Sequence, residues 1–313
     1  MSDKYDIICI GMALVDSIIR GFDPEPVSAS GFRAESCSLN VGGEAVNDSM
    51  AAAKLGTKTG ILCAIAGDAA GALVEQALMK NGVDTSLAVR PKDCATPVTT
   101  MFVNADGTRK SVTNKAHAYN FRPDRYCDRI LGARAVILGS LFRAPFDDPE
   151  ILLSVVKAAK TEGIMIFADT KLPNFRKLSL EDVREALKHI DYITPNEDEA
   201  AYFTGEREPE KMAEAFLSYG VKNVVIKLGS RGCFFQNAET SLSLPAYDID
   251  AKDATGAGDN FLAGFASELL NGKTVEEALI FGNACGAICT TEVGAGTALK
   301  NRAQVEEFID IHL

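Results

Sequence analysis

Asp253-Ala254-Thr255-Gly256-Ala257-Gly258-Asp259-Asn260-Phe261 sets two carboxylates around a run of small residues. An apolar run with helical spacing follows, from Phe261 through Leu270, so the small residues fall where a loop becomes a helix N-terminus. Backbone N–H groups there lack intrahelical partners, and the helix dipole adds partial positive charge. Glycines let such a backbone approach a ligand closely. The place suits a phosphate or a developing oxyanion. An acid at the mouth of an anion site does not help binding alone. It makes sense if Asp259 takes a proton from a hydroxyl that attacks phosphorus. A glycine turn capped by Asp is the plain alternative, but the full D-x-x-G-x-G-D with a helix behind it is far more specific than a lone GAGD.

This stretch resembles the signature of the ribokinase-like carbohydrate kinases, also called the phosphofructokinase-B (PfkB) family. The resemblance implies an α/β, ribokinase-like three-layer sandwich with a mostly parallel sheet and a small β lid. It implies ATP-dependent phosphorylation of a sugar-like alcohol. Asp259 would be the catalytic base, with the backbone at Gly256, Ala257 and Gly258 as the anion hole. Asp253 would help hold the acceptor or a nearby monovalent cation.

The remaining sequence is compatible with that reading. The chain has 313 residues, is 47% hydrophobic and carries a formal net charge of −11. That charge argues against a nucleic-acid backbone or an anionic membrane as partner. It does not forbid an anionic small ligand, because local dipoles and single cations dominate inside a pocket. The eight cysteines are scattered without a C-x-x-C, as buried free thiols are. The N-terminus enters a strand almost at once, which argues against a signal peptide, and no apolar stretch suits a bilayer span. The expectation is a soluble, cytoplasmic protein.

Along the chain, Tyr5 to Ile10 reads as a buried strand ending at Gly11. Ala45 to Leu55 reads as a helix ending at Gly56, Gly60 to Ala66 as a strand, and Ala70 to Lys80 as a helix. Residues 21–40 are loop-like, with weak alternation from Phe32 to Leu39. Thr99 to Val103 and Arg109 to Val112 flank the turn residues Asn104-Ala105-Asp106-Gly107, a hairpin inside an α/β sequence. Alternation then resumes: strands at 133–138, 164–168, 192–194 and 223–228, helices at 149–161, 180–189, 197–204, 209–218, 257–270, 275–290 and 302–310. Such alternation implies a mostly parallel sheet covered on both faces. Residues 1–313 thus read as one kinase domain, with roughly 12–40 and 94–115 as its lid.

Further motifs follow the resemblance. Asp16 lies past the first strand, where ligands of α/β sheets bind, and a carboxylate there can accept from two sugar hydroxyls. Family members often carry Asn two residues earlier; here that position is Leu14. Gly42-Gly43-Glu44-Ala45-Val46-Asn47 resembles the G-G-x-x-x-N element, with Gly42, Gly43 and Asn47 on the acceptor. Asn196-Glu197-Asp198-Glu199 resembles N-x-x-E, where Asn196 would reach phosphate oxygens and Glu199 would orient a water on Mg²⁺. Lys227, Gly229, Ser230 and Gly232 resemble the turn beside ATP, and Asn283 is the candidate polar contact in the adenine pocket. Asp253, Thr255, Glu292 and Gly294 lie where family members bind K⁺. Arg143 is expected on the acceptor side, where, with Lys171, it would select a carboxylate or phosphate; the alternatives are that Lys171 reaches ATP phosphates and that Arg143 is solvated or paired with Asp147 or Asp148.

Two decoys are set aside. Gly272-Lys273-Thr274 lacks the glycine five residues earlier and follows a helix, so it is no P-loop. Gly11 opens no G-x-G-x-x-G, which argues against a dinucleotide dehydrogenase. A non-catalytic binding protein of the same fold stays open. The acceptor also stays open among ribose, fructose, sugar acids, phosphorylated sugars and nucleosides. The lid's exposed edges suggest a homodimer through the lids.

Overall fold

The structure is a computed structural model that describes residues 4–21, 34–104, 108–114 and 120–312. Among these residues the strands form two sheets. The larger contains, in chain order, β1 (Tyr5–Ile10), β4 (Thr59–Leu62), β7 (Ala133–Leu141), β8 (Met165–Thr170), β9 (Tyr192–Ile193), β10 (Asn223–Lys227), β11 (Cys233–Asn237) and β12 (Ser241–Leu244). Its spatial order is β12-β11-β10-β9-β8-β7-β1-β4. Pairing is parallel from β4 through β10, and β11 and β12 close the edge antiparallel. The smaller sheet has the order β3-β2-β5-β6, from β2 (Leu14–Arg20), β3 (Ser36–Gly42), β5 (Val98–Val103) and β6 (Arg109–Thr113).

The central strands are buried on both faces, so they read as unbroken apolar runs. Ile7, Cys9, Ile61 and Ile137 pack on one side against α1 (Glu44–Lys54), α2 (Ala69–Lys80), α7 (Ala257–Leu270), α8 (Val275–Thr290) and α9 (Arg302–His312). Ile8, Ile10, Val136 and Leu138 pack on the other against α3 (Pro149–Thr161), α4 (Arg184–Leu187), α5 (Glu197–Thr204) and α6 (Pro209–Ser218). Helices therefore cover both faces of a mostly parallel sheet, in the three layers that the alternation predicts. The carboxyl ends of β1, β7, β8 and β10 open on one rim, and the first turns of α1, α5 and α7 point at it.

Local differences have local causes. The helix expected over 180–189 is a 3₁₀ turn, Glu181–Val183, followed by the single-turn α4. Val183 leaves helical backbone geometry (φ −116°, ψ 12°) and is buried in the core. Gly272-Lys273-Thr274 is an interhelical turn in which Thr274 caps α8 in a reciprocal box with Glu277. The expected hairpin strands pair as β5 and β6. Ala105, Asp106 and Gly107 of its turn, and Phe32 and Arg33 of the alternating stretch, lie outside the described residues.

Candidate active site

Gly256 is the N-cap of α7 with φ 79°, in the left-handed region that favours glycine. A Cβ there would lie 2.4 Å from Ala295 Cβ, so the loop before α7 touches the loop after α8. Side chains staple the two loops. Asp253 Oδ1 accepts from the Thr255 amide (3.0 Å) and hydroxyl (2.6 Å), and its Oδ2 accepts from the Gly294 amide (3.0 Å). Asn260 Nδ2 donates to the carbonyls of Gly256 (2.8 Å) and Ala295 (2.9 Å). Sequence reasoning gave Asn260 no role, although it sits inside the motif. The Ala257 amide is tied to Ala254 O by a long bond of 3.2 Å. The Gly258 amide, in the first turn, has no helical acceptor.

Asp259 stands one residue further into α7 and is 6% exposed. Its Oδ2 accepts from Asn47 Nδ2 at 2.7 Å, which joins α1 to α7. Burial raises its carboxyl from the ordinary 3.8 to about 6. The Lys171 ammonium opposes that rise, Glu44 and Asp169 add to it, and the Asn47 bond again opposes it. The result is a carboxylate that is ionised at neutral pH yet more basic than a free one, as a general base should be.

Toward the small sheet, Asp16 projects from β2 against Gly42 of β3, where a Cβ would lie 2.6 Å from Asp16 Oδ2. Burial, and then the nearby Glu44, raise the Asp16 carboxyl to about 6. Gly43 caps α1 with φ 97°, and a Cβ there would lie 2.3 Å from Met12 O. Lys171 Nζ lies 4.0 Å from Glu44 Oε1.

On the opposite side, Asn196 and Glu199 form a capping box on α5. Thr170 Oγ1 donates to Glu199 Oε2 at 2.8 Å, and Glu199 is 4% exposed. Burial, then Asp169, raises the Glu199 carboxyl. Lys227, at the end of β10, donates to both carboxylate oxygens of Asp169, at 2.8 and 3.0 Å. Gly229 and Ser230 lie in a 3₁₀ turn, Gly232 has φ 89°, and Asn283 Nδ2 donates to Pro245 O at 3.3 Å.

One cleft of about 950 Å³ runs between these groups and is lined by Asp16, Asn47, Glu199, Lys227, Asp259 and Asn283, among others. Every site residue expected from the sequence lines it except two. Arg143, expected on the acceptor, turns away and donates from Nε to Leu172 O at 2.8 Å. The backbone there runs through positive φ at Ser140 (58°) and Phe142 (72°), which redirects the chain past the strand end. Glu292 is exposed and outside the cleft. Missed besides Asn260 were Asp169, Glu44 and Asp48. Asp48 is fully buried, its two carboxylate oxygens have no hydrogen-bond partner among the described residues, and burial pushes its carboxyl well up.

The glycine-lined N-terminus of α7, with a buried carboxylate beside it, thus stands at the rim of a mostly parallel sheet. Residues 5–302 match the pfkB family carbohydrate kinases, and the chain belongs to that family of ATP-dependent sugar kinases. It is 28% identical to ribokinase of Haemophilus influenzae over 277 residues, 86% of this chain and 87% of that one. It is 28% identical to fructokinase-2 of Zea mays over 294 residues, 86% of this chain and 84% of that one. The solved structure of Arabidopsis thaliana ribokinase complexed with ribose and ATP superposes with a TM-score of 0.85 at 25% identity, covering 97% of this chain and 98% of that one. No helix among the described residues is long and apolar enough to cross a membrane.

Proposed function

We propose that this protein transfers the γ-phosphate of ATP to a hydroxymethyl group of a small neutral sugar, with Asp259 as general base. The observation that carries the reading is the Asp259 carboxylate itself: buried, tied to Asn47 at 2.7 Å, and set in the first turn of α7 beside the glycine loop. The acceptor would lie between Asp16, Gly42, Gly43, Asn47 and Asp253. ATP would lie over Lys227 to Gly232 and toward Asn283. The Arabidopsis ribokinase, a relative of the same fold, is solved in complex with ribose and ATP, which supports a sugar and ATP as the two ligands.

Asp259 would take the proton from the hydroxyl as its oxygen attacks phosphorus in line. The Gly258 amide, joined by Ala257 once its long bond to Ala254 yields, would meet the negative charge that develops on the transferred group. Asn47 would keep the carboxylate oxygen aimed and its burial intact. Glu199, held by Thr170 and the Asn196 amide, suits the water shell of a Mg²⁺ ion, which would supply charge neutralisation on the phosphates. A K⁺ ion would be held by backbone carbonyls of the two stapled loops. Thr255 O and Gly294 O accept from Cys289 Sγ and Thr297 Oγ1 and each keeps a second lone pair that such an ion would use, but no step is routed through it.

Neutral acceptors are favoured because Arg143 is turned away and Lys171 lies beside the Glu44 carboxylate, so neither cation expected from the sequence is left to select an anion. The four-stranded sheet would act as the lid over the acceptor side, and its edges would pair two chains into a homodimer. The test is ATP consumption over a panel of neutral sugars, nucleosides, sugar acids and sugar phosphates. Neutral sugars should be fastest. Faster turnover of an anionic sugar overturns the acceptor class, and no turnover with any acceptor overturns the kinase reading.

A further inference from the structure

We infer that Lys227, held by Asp169, is a positioning residue that places a fixed positive charge beside the anion hole, rather than a contact on which ATP affinity depends. The inference rests on the reading of the loop before α7 as that hole. The ion pair is buried, with the two side chains 13% and 5% exposed. Asp169 is further fixed by Thr194 Oγ1, which donates to its Oδ1 at 3.1 Å. Lys227 is fixed through its backbone, whose amide donates to Pro195 O at 2.9 Å. Removing two charges from water is costly, and such a pair is weak evidence for stability alone.

Its orientation gives it a use. A Cβ built on Gly258 would lie 2.9 Å from Lys227 Nζ but 3.8 Å from Asp169 Oδ2. The pair is neutral as a whole, yet its positive end is the nearer to the Gly258 backbone. It therefore reinforces the helix dipole at the place where negative charge develops in the transition state. Two of the three ammonium donors are already spent on Asp169. The same packing explains why position 258 has no side chain.

Lys227→Met keeps the apolar stem and removes the charge. It should lower kcat by on the order of 10²-fold while KM for acceptor and for ATP each change less than about threefold. A second readout is binding. Wild type should trap ADP with aluminium fluoride more tightly than ADP alone; Lys227→Met should bind ADP normally and lose most of that gain. A raised KM for ATP at unchanged kcat, or an unchanged kcat, overturns the inference. If Lys227→Met does not fold, Lys227→Gln, which can still donate to Asp169 but carries no charge, takes its place: kcat should fall at unchanged KM for ATP, and an unchanged kcat overturns the inference. A wild type that turns over, loses turnover in Asp259→Asn and keeps it in Lys227→Met defeats this inference while leaving the proposed function standing. A wild type without turnover on any acceptor defeats the proposed function first.

Discussion

Asp259→Asn should abolish most turnover and, at neutral pH, make the protein more stable. In the folded protein burial leads the rise of this carboxyl from 3.8 to about 6. Between those values the folded state holds a proton that the unfolded chain has released, so stability falls as pH rises through the window. Above pH 6 the folded protein bears the whole cost of a buried charge; below about 4 it bears none. A difference of about two pH units corresponds to ~3 kcal/mol. Asn has the same shape and no charge, and its amide can donate to Asn47 Oδ1, a buried atom without a partner among the described residues. The variant should therefore gain up to ~3 kcal/mol above pH 7, with about half of that left at pH 5. For a chain of this size that is a rise in Tm of roughly 5 °C. Calorimetry or urea unfolding of the ligand-free proteins from pH 5 to 8 measures it. Turnover of the wild type should fall about tenfold per pH unit below pH 6, while that of Asp259→Asn should be lower by at least ~10²-fold throughout. A variant less stable than wild type at pH 8, or an advantage that does not shrink toward pH 5, would refute the account of Asp259 as a charge held at a cost.

Gly256→Ala forces a residue with φ 79° to carry a Cβ 2.4 Å from Ala295 Cβ, so it should lower stability by roughly 1–3 kcal/mol and slow turnover; a melting curve and kcat equal to wild type would contradict the packing described. The lid pairing should give a dimeric mass in solution that Leu39→Lys and Val112→Lys reduce to monomer, since these side chains are 64% and 65% exposed on the two edge strands of the small sheet; a monomeric wild type would count against it.

The elements most legible in the sequence are those whose signals are local. Helices α7 and α8 begin and end where glycine, the Thr274 cap and the apolar period put them. The N-x-x-E spacing shows directly as the Asn196–Glu199 capping box. What escaped the sequence depends on partners far away along the chain. Lys227 reads as part of the turn beside ATP, and only the fold shows that Asp169, in another strand, holds it. The direction of Arg143 follows from positive φ at Ser140 and Phe142, residue types that give no warning of it. Asn260 lies within the motif, but its work is done on Ala295, which only the fold brings near.

The small sheet has a kinetic consequence. Its two hairpin-like edges are local, but its central pair is parallel, with Val15 beside Val98. Parallel neighbours cannot be joined by a tight turn. Joining these closes a loop on the order of 80 residues, which costs roughly 4 kcal/mol of chain entropy if the intervening chain is loose. That chain contains α1, β4 and α2, which pack on the large sheet. Once they are docked, the loop is already nearly closed. The small sheet should therefore order after the large one, as the last and least protected unit in hydrogen exchange. The segment that would cover the acceptor is then also the one that can open without disturbing Asp259.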